Sequence, residues 1–336
     1  MAATLKSIAS ECHVSISTVS QILNGAACNY CSEETKEKVR MAAKRQGYKR
    51  NFGYELMRGM KTQTVAIQLS MPQKRTEEHL WQLQQLLADY FDHRNYKIYL
   101  GHAGDTEEQE LEKINALMTR GVEHFVFLGT PSAYLDVEKK IIESNLSMVS
   151  TSTSFSRHVA IDIQSGAEKI IEFLLSKGKT ESFRYVTGVK MNFNDSRGMA
   201  LKKYFSQMDD KQLLKNVIRE IGVSDNSPAY QEESFHAGYS YAAELLRSEP
   251  EVKMIFCNID SVAMGVAAGL NNAGKIIGKD VFIAGINNDF GTRCSPYPIS
   301  SISHNWEKHA SLLAEQALQT SPCEILLQPE IFIREL

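Results

Sequence analysis

Side chains that could make specific polar contacts are concentrated near the start of the chain. Residues 14–25, VSISTVSQILNG, place apolar groups at helical spacing, and most other positions carry hydroxyls or an amide, on Ser15, Ser17, Thr18, Ser20 and Gln21. Hydroxyls and amides both donate and accept hydrogen bonds, and the short ones let a helix approach its partner closely. We therefore expect this helix to turn a polar face toward a polar partner.

A cluster of potential metal ligands overlaps the same region. Cys12, His13, Cys28 and Cys31 offer thiolates and an imidazole, the groups that bind zinc in structural sites. Their spacing matches no standard zinc motif, and small, half-buried thiols are the simpler interpretation. We expect no metal site and no other cofactor.

The charge of the chain is divided unevenly. Residues 1–61 hold ten Lys or Arg and five Asp or Glu, whereas the rest hold 27 basic and 35 acidic side chains, so a net charge of +5 precedes one of −8. Lysine and arginine near phosphates release condensed counterions, so a basic module of this kind is typical of proteins that bind polyanions. The charge pattern predicts nucleic acid as the partner of the basic segment.

Three short helices are predicted in the basic segment, over residues 4–12, 16–24 and 32–48. Thr4, Ser15 and Ser32 are suitable N-caps for them, and Gly47 ends the third. Two short helices joined by a tight turn, with a third that closes the core, form a helix-turn-helix domain.

Strands and amphipathic helices alternate from about residue 64 onward. Strand-like runs cover 64–70, 96–102, 124–130, 147–153, 182–188, 215–222, 253–259 and 280–286. Helical segments lie between them, at 77–93, 106–120, 133–145, 196–208, 233–248 and 260–274. Strands separated by helices of this length predict parallel sheets, and two such series predict two lobes with a cleft.

Composition and motifs exclude several classes of protein. The 336 residues are 43% hydrophobic and include no apolar run of 18 or more, no secretory leader pattern and only six scattered cysteines. These features predict a cytoplasmic protein with no membrane partner. No GxGxxG follows the first strand, no GxxxxGK[ST] occurs, and no nucleophile, base and acid have catalytic spacing, so we expect no enzyme activity.

Six segments resemble the LacI/GalR family of bacterial transcription regulators. In order they are TLKSIASECHVSISTVSQILNG, SEETKEKVRMAAKRQGY, DSRGMA, IFCNIDSVAMG, DVFIAGINND and FIREL. The resemblance implies an α/β protein with an N-terminal three-helix helix-turn-helix DNA-binding domain, the head (residues 1–48), and a hinge (residues 49–62). A two-lobed, periplasmic-binding-protein-like body (residues 63–336) of parallel sheets flanked by helices would bind an effector and join two chains as a homodimer.

The resemblance also implies which residues contact double-stranded operator DNA. Positions that face the bases and backbone are Ser15, Ile16, Ser17 and Gln21. Positions that contact phosphates are Thr4, Leu5, Thr18, Ser20, Asn24 and Ser32. Tyr48, Asn51 and Met57 fall at further DNA-binding positions.

Two departures from the family affect this interface. Many members have arginine where Gln21 stands, and because glutamine can pair bidentately with adenine, the exchange trades a guanine preference for a weaker or adenine-directed one. The loop AACNYC, residues 26–31, is about two residues longer than usual, so we expect a displaced third helix.

In relatives the hinge folds into a short helix on operator DNA and inserts apolar side chains into the minor groove. The resemblance places Met57 at this wedge position, with Leu56 beside it. Arg50 replaces the usual proline, and Glu55 is unfavourable near phosphates, so the hinge packs differently or binds DNA modestly. A plain linker is the alternative.

The implied effector site lies beyond the carboxyl ends of the strands, where doubly wound sheets bind ligands. Its residues would be Ser70, Met71, Arg197, Ile259 and Asn287. Arg197 offers five fixed donors for hydroxyls, carboxylates or phosphates. Ile259 and Asn287 replace an asparagine and an aspartate of the family's sugar site, so binding of a hexose is less secure.

Other residues near the implied site have more ordinary explanations. Asp260 is expected to be a helix N-cap rather than a ligand. Four aromatic residues could stack on an effector, although each is more often a core residue: Trp81, Tyr230, Phe235 and Trp306. The effector is expected to be a small, carbohydrate-like molecule.

Together these features predict a sequence-specific DNA-binding transcription regulator, a repressor whose operator affinity is modulated by a sugar or sugar-like molecule. Because the cleft positions have changed, effector-independent or protein-partner control of the same architecture is the first alternative. A solute-binding protein for import is the second, disfavoured by the basic helical head and the missing leader pattern.

Overall fold

The computed structural model describes residues 3–23, 30–48, 61–70, 78–102, 104, 106–224, 227 and 229–336. The chain divides into two compact units, Met1–Thr62 and Gln63–Leu336. Residues 49–60 of the hinge lie outside the described residues, so the hinge and its boundaries stay predictions. None of the helices in the described ranges is long and apolar enough to cross a membrane.

The first unit contains helices α1 (Leu5–Cys12), α2 (Ile16–Leu23) and α3 (Glu33–Gln46). Their apolar residues meet in one buried cluster, made of Ile8, Ala9, Cys12, Val19, Ile22, Val39, Ala42 and Ala43. Helices this short are marginal in isolation, because nucleation is costly and few backbone hydrogen bonds follow it. The three helices therefore depend on the shared core, and the trihelical head is confirmed.

The first two helices start at the predicted N-caps. The Thr4 hydroxyl accepts a hydrogen bond from the Ser7 backbone N–H at 3.1 Å, and Ser7 bonds back to Thr4 in a capping box. The Ser15 hydroxyl accepts one from the Thr18 N–H at 3.0 Å. These bonds satisfy N–H groups that have no partner within the helix.

The third helix also begins and ends as predicted. The Ser32 hydroxyl accepts a hydrogen bond from the Thr35 N–H at 3.2 Å. Gly47 ends the helix with a φ of 66°, a left-handed conformation that glycine adopts without the penalty of a Cβ. His13 has a φ of 58° and ends α1, which makes the tight turn into α2.

The body alternates strands and helices. Its described strands are β1 (Thr64–Ser70), β2 (Lys97–His102), β3 (His124–Gly129), β4 (Ser147–Ser150), β5 (Arg157–Ile161), β6 (Phe183–Thr187), β7 (Ile218–Glu220), β8 (Met254–Cys257), β9 (Phe282–Asn287), β10 (Ile299–Ser303), β11 (Cys323–Leu327) and β12 (Glu330–Phe332). Its described helices are α4 (Glu78–Asp92), α5 (Glu107–Thr119), α6 (Tyr134–Glu143), α7 (Ile163–Leu175), α8 (Ser196–Tyr204), α9 (Asp210–Asn216), α10 (Tyr230–Ser248), α11 (Asp260–Asn272), α12 (Phe290–Arg293) and α13 (Trp306–Ala317).

These strands form two six-stranded sheets. The sheet of lobe 1 has the order β11-β5-β4-β3-β1-β2, and the sheet of lobe 2 has the order β12-β10-β9-β8-β6-β7. All neighbouring strands are parallel except β10 and β12. Helices cover the sheets, so central strands such as β1 and β8 are buried along their whole length, and both are rich in apolar residues. The predicted two-lobed α/β body is confirmed.

The chain passes three times between the lobes, after β5, after β10 and after β11. Helix α7 consequently packs in lobe 2, where Ile170 belongs to the same buried cluster as Phe183. Helix α13 packs in lobe 1, where Leu313 belongs to the same buried cluster as Val65. The segments that make these passages were not predicted from the sequence; they include β5, α7, β10 and α13. Strand β10 reads ISSIS, and serine is a weak strand former, yet all five residues are buried.

Helices α10 and α11 pack closely at three glycines, Gly238, Gly265 and Gly269. A Cβ on Gly265 would lie 2.0 Å from the Phe235 carbonyl oxygen, and one on Gly269 would lie 2.6 Å from that of Tyr239. Only glycine allows the two backbones to approach this far. The contact fixes the first turns of both helices, which begin near the carboxyl ends of the lobe 2 strands.

Candidate nucleic-acid interface and ligand cleft

The outer face of α2 carries the predicted base-reading residues. Ser15, Ile16 and Ser17 are exposed, and Gln21 is half-buried one turn further along. The Ile16 side chain is 49% exposed although it is apolar, whereas Val19 is fully buried in the head core. Hydroxyls, an amide and an exposed aliphatic group suit the base edges and thymine methyls of a major groove.

Thr18 does not belong to this outer face. Its side chain is only 8% exposed, and its hydroxyl lies 2.8 Å from the Ser15 hydroxyl. The expectation that Thr18 faces outward was wrong, because it lies next to Val19 and one turn before Ile22 on the buried side. Thr18 instead holds the Ser15 side chain at the start of α2.

The predicted phosphate-contacting residues differ in exposure. Thr4 and Ser32 are exposed at the N-termini of α1 and α3, where backbone N–H groups and the helix dipole favour anions. Leu5, Ser20 and Tyr48 are half-buried, and Leu5 and Tyr48 pack against the head core. The remaining residues predicted to bind DNA lie outside the described ranges: Asn24, Asn51 and Met57.

Basic side chains of α3 pair with glutamates on the head surface. Lys36 Nζ lies 2.7 Å from Glu33 Oε1, Arg40 lies 3.4 Å from Glu37, and Arg45 pairs with Glu11. Surface pairs of this kind contribute little to stability and are screened by salt. Their cations can therefore exchange a glutamate for a phosphate.

The described thiols of the head belong to its core. Cys12 is buried, and its Sγ donates to the Lys38 carbonyl oxygen at 3.7 Å, while Cys31 is half-buried against the same cluster. Cys28 lies outside the described ranges. Within those ranges no three His, Cys, Asp or Glu side chains are placed to hold a metal ion.

In the body, the carboxyl ends of the two sheets face each other. Glu78 begins α4 after β1, and its Oε1 accepts a hydrogen bond at 2.9 Å from the backbone N–H of Phe290, which begins α12 after β9. The rings of His79 and His304 stack with centroids 5.3 Å apart, and His304 directly follows β10. Side chains from both lobes thus meet at the place where parallel sheets bind ligands.

Most of the predicted effector residues lie at this edge. Ser70 is the last residue of β1 and pairs in register with Gly129. Arg197 is in the first turn of α8, where its guanidinium lies 4.0 Å from the Asp195 carboxylate. Asn287 ends β9 with a φ of 107°, and its Oδ1 accepts a hydrogen bond from His304 at 3.2 Å.

The other two predicted effector residues have different positions. Ile259 is 7% exposed and belongs to a buried cluster of lobe 2 that also includes Val186 and Val262. Its side chain can offer only apolar contact. Met71 lies outside the described ranges. The assignment of both residues to an effector site stays a prediction.

Asp260 is not the N-cap that the sequence predicted. It is the first residue of α11, and its carboxylate accepts hydrogen bonds from the Ser301 hydroxyl at 2.7 Å and the Asp289 backbone N–H at 2.8 Å. Full burial raises the pKa of Asp260 to about 8, and the nearby Asp289 carboxylate acts in the same direction. The carboxyl group ties α11 to β10 and to the loop after β9.

Four buried polar atoms near this edge have no hydrogen-bond partner among the described residues. They are Ser70 Oγ, Arg197 Nε, Ser234 Oγ and Ser261 Oγ. A buried polar atom without a partner costs about 1–3 kcal/mol, and native structures normally satisfy such atoms with protein, water or ligand. The edge is therefore suited to a small polar molecule with several hydrogen-bonding groups.

Basic groups surround His304 at this edge. Burial lowers the pKa of His304 well below 6.5, and positive charge on His79, His309 and Arg197 acts in the same direction. The imidazole is therefore neutral near pH 7, and its Nε2–H can donate to Asn287. Neither His79 nor His304 was predicted as a site residue, and for His304 the reason is that the strand before it was not predicted.

The aromatic candidates separate into core and surface. Trp306 is buried and stacks on His304 with centroids 4.4 Å apart, and Tyr230 is buried in lobe 2. Phe235 is half-buried, and Trp81 is 51% exposed. The stack of His79, His304 and Trp306 is the ring surface that the structure places at the meeting edge.

The chain matches two family models. The model described as bacterial regulatory proteins, lacI family, matches residues 4–51, and the model described as periplasmic binding protein-like domain matches residues 171–334. Catabolite control protein A of Staphylococcus epidermidis is 25% identical over 296 residues, which cover 86% of this chain and 83% of that protein.

Solved structures share the fold. A crystal structure of the lac repressor dimer bound to operator and the anti-inducer ONPF has a TM-score of 0.80 at 16% identity, covering 100% of this chain and 99% of that chain. The LacI family transcriptional regulator CCPA from Weissella paramesenteroides, solved with bound glucose, has a TM-score of 0.62 at 16% identity, covering 81% and 97%.

The order of domains agrees with these matches. The trihelical head corresponds to the first family model, and the second covers the lobe 2 sheet together with α13 and β11 of lobe 1. One of the solved structures named above is of a lac repressor, and the other is of a LacI family transcriptional regulator. The head therefore carries a domain of the lacI family of bacterial regulatory proteins, and residues 171–334 carry a periplasmic binding protein-like domain.

Proposed function

We propose that the chain is a sequence-specific transcription regulator, a repressor whose affinity for operator DNA changes when a small sugar or sugar-like molecule binds between the lobes. The observation that supports this most directly is the outer face of α2, where Ser15, Ile16 and Ser17 are exposed on a helix-turn-helix head. Operator DNA as the partner implies that the protein works in the cytoplasm.

In this proposal α2 enters the major groove. Ser15, Ile16, Ser17 and Gln21 read base edges, with Thr18 acting through its hydrogen bond to Ser15. Phosphate contacts come from Thr4, Leu5, Ser20, Asn24 and Ser32 and fix the register of the head on the duplex. Tyr48, Asn51 and Met57 extend the contact toward the minor groove, with Met57 as an apolar wedge.

Two copies of the chain act together. A homodimer presents two recognition helices related by a two-fold axis, so its operator is a pseudo-palindrome whose half-sites repeat that symmetry. Dimeric binding also doubles the number of phosphate contacts, which makes affinity strongly dependent on salt.

The effector acts through the meeting edge of the lobes. Ser70 belongs to lobe 1, whereas Arg197, Ile259 and Asn287 belong to lobe 2, so a molecule that binds both groups changes the relative stability of the lobe arrangements. Met71, which follows Ser70 in the sequence, is proposed to contribute as well. It can shift that equilibrium only by its difference in affinity between them.

Sequencing of the genomic fragments that purified full-length protein retains at low salt tests the DNA-binding part. We expect enrichment of one motif with two-fold symmetry, and footprints on both half-sites. If the protein shifts no double-stranded fragment under these conditions, or remains monomeric at every concentration, the proposal is wrong.

Control without a small molecule is the second candidate, and the contacts between lobes favour it. Glu78 binds the Phe290 N–H, and His79 stacks on His304, so protein groups already bridge the two sheets. Calorimetric titration of the full chain with glucose, other sugars and nucleosides separates the candidates. Heat and a change in operator affinity support the effector, and silence across the panel supports control by another route.

A further inference from the structure

A hydrogen bond links the recognition helix to the residue that leads into α3. The Tyr30 hydroxyl donates to Gln21 Oε1, at the last turn of α2. Tyr30 is 67% exposed, so its ring is not held there as part of the head core. In the sequence, Tyr30 belongs to the segment 26–31 that is about two residues longer than usual, and its phenol lies beside the predicted base-reading amide.

The bond determines which end of the Gln21 amide remains for a base. A glutamine that pairs bidentately with adenine uses both ends, since Oε1 accepts from the adenine amino group and Nε2 donates to N7. Oε1 already accepts from Tyr30 with one of its two lone pairs, which directs the Oε1 end of the amide to the phenol and leaves Nε2 as the end that can turn to the groove. A donor of this kind matches the N7 and O6 acceptors of guanine.

We propose that Tyr30 is a specificity-determining residue, which positions the Gln21 amide so that its NH2 group donates to guanine rather than pairing with adenine. The inference rests on the proposed base-reading role of Gln21. Tyr30 acts through Gln21 in this scheme and reads no base itself. The bound orientation is present before DNA arrives, so the amide loses less rotational freedom on binding.

The test uses the full-length protein and the operator selected by the fragment experiment. Four duplexes differ only at the base pair whose preference Gln21→Ala removes, and affinity is measured for the wild type, Tyr30→Phe, Gln21→Ala and the double variant. We expect guanine to be preferred by the wild type, and Tyr30→Phe to lower its preference over adenine about fivefold, the effect of one neutral hydrogen bond.

The double variant separates positioning from direct contact. If Tyr30 acts through Gln21, adding Tyr30→Phe to Gln21→Ala changes no base preference. Tyr239→Phe is the matched control, because Tyr239 is also exposed but lies in the body, and we expect it to leave all four affinities unchanged. Thermal unfolding of Tyr30→Phe should equal that of the wild type.

Several results would overturn the inference. A wild type that prefers adenine at this base pair contradicts a Gln21 amide that offers only its NH2 group to the base. A Tyr30→Phe variant with unaltered base preference contradicts the positioning role of Tyr30. An equal loss on all four duplexes with a smaller salt slope would make Tyr30 a phosphate contact. If Gln21→Ala alters no base preference, the inference fails with the role of Gln21, whereas binding of no fragment at all rejects the proposed function itself.

Discussion

The outer face of α2 and the meeting edge of the lobes are both polar, but they differ in how their polar groups are satisfied. On the head, Ser15 caps α2 and Gln21 accepts from Tyr30, and water reaches the remaining hydroxyls. In the body, Ser70 Oγ and Arg197 Nε are buried without a partner among the described residues. Exposed polar groups are therefore ready for a partner at little cost, whereas buried ones without a protein partner gain stability when a water or a ligand pairs them.

This difference predicts that the single substitution with the largest effect on binding lies in the body. Replacing Arg197 by Met removes a buried donor and a positive charge, and hydrogen bonds to charged groups are worth about 1.5–3 kcal/mol. We expect the effector found by calorimetry to bind about tenfold to a hundredfold more weakly. Arg247→Met, an exposed arginine of α10, is the control and should bind normally. Equal affinity of Arg197→Met and wild type would show that the guanidinium does not touch the effector.

The buried, neutral side chain of His309 predicts that the body loses stability in acid. His309 Nε2 donates to the Val159 carbonyl oxygen at 2.7 Å, and burial lowers the pKa of His309 from 6.5 to about 4. The unfolded chain therefore binds a proton more readily than the folded chain, and stability is lost as the pH falls below 6.5 toward 4.

Urea unfolding at pH 7.5 and pH 5 measures this effect. We expect the contribution of His309 to the free energy of unfolding to fall by about 2 kcal/mol from pH 7.5 to pH 5. His309→Gln keeps a donor for the Val159 carbonyl oxygen and should remove that part of the loss. His236→Gln, at an exposed position of α10, should leave the pH dependence unaltered. The same fall in His309→Gln as in the wild type would contradict the assignment.

On the exposed face, the expected effect is one of specificity. Gln21→Ala should reduce discrimination at one base pair about tenfold, because a good side-chain contact to a base edge is worth about 1–3 kcal/mol. Nonspecific affinity and its salt slope should stay the same, as both depend on phosphate contacts. An equal loss on every sequence would mean that Gln21 contacts the backbone.

The smallest expected effect concerns the start of α1. Thr4→Ala removes the N-cap bond to the Ser7 N–H and should lower the stability of the head by about 1 kcal/mol, whereas Thr4→Ser keeps a hydroxyl. Hydrogen exchange of the Ser7 amide reports the change locally. Protection equal to that of the wild type would show that the cap contributes nothing.

Local patterns in the sequence were sufficient for the head. Thr4, Ser15 and Ser32 cap their helices, and Gly47 ends the third, because capping and left-handed ends depend on residues within a few positions of each other. The wrong expectation, an outward-facing Thr18, concerns a side chain at the border of the apolar face, where packing decides exposure.

The strand and helix alternation of the body was equally readable, but its closing segments were not. β10 consists of serines and isoleucines, and Ser301 is accommodated there through its bond to Asp260, a partner 41 positions earlier. A buried hydroxyl with a distant partner gives no local signal, so the strand, and His304 after it, escaped the sequence analysis.

Neighbouring residues were enough to specify the order of the helices and strands, the basic segment and the polar face of α2, because periodicity, capping and charge are local properties. Tertiary packing was needed to bring Glu78 to Phe290, His79 onto His304, and Tyr30 to Gln21. These contacts join residues from different elements, and their geometry follows from how the sheets and helices pack, which no local pattern specifies.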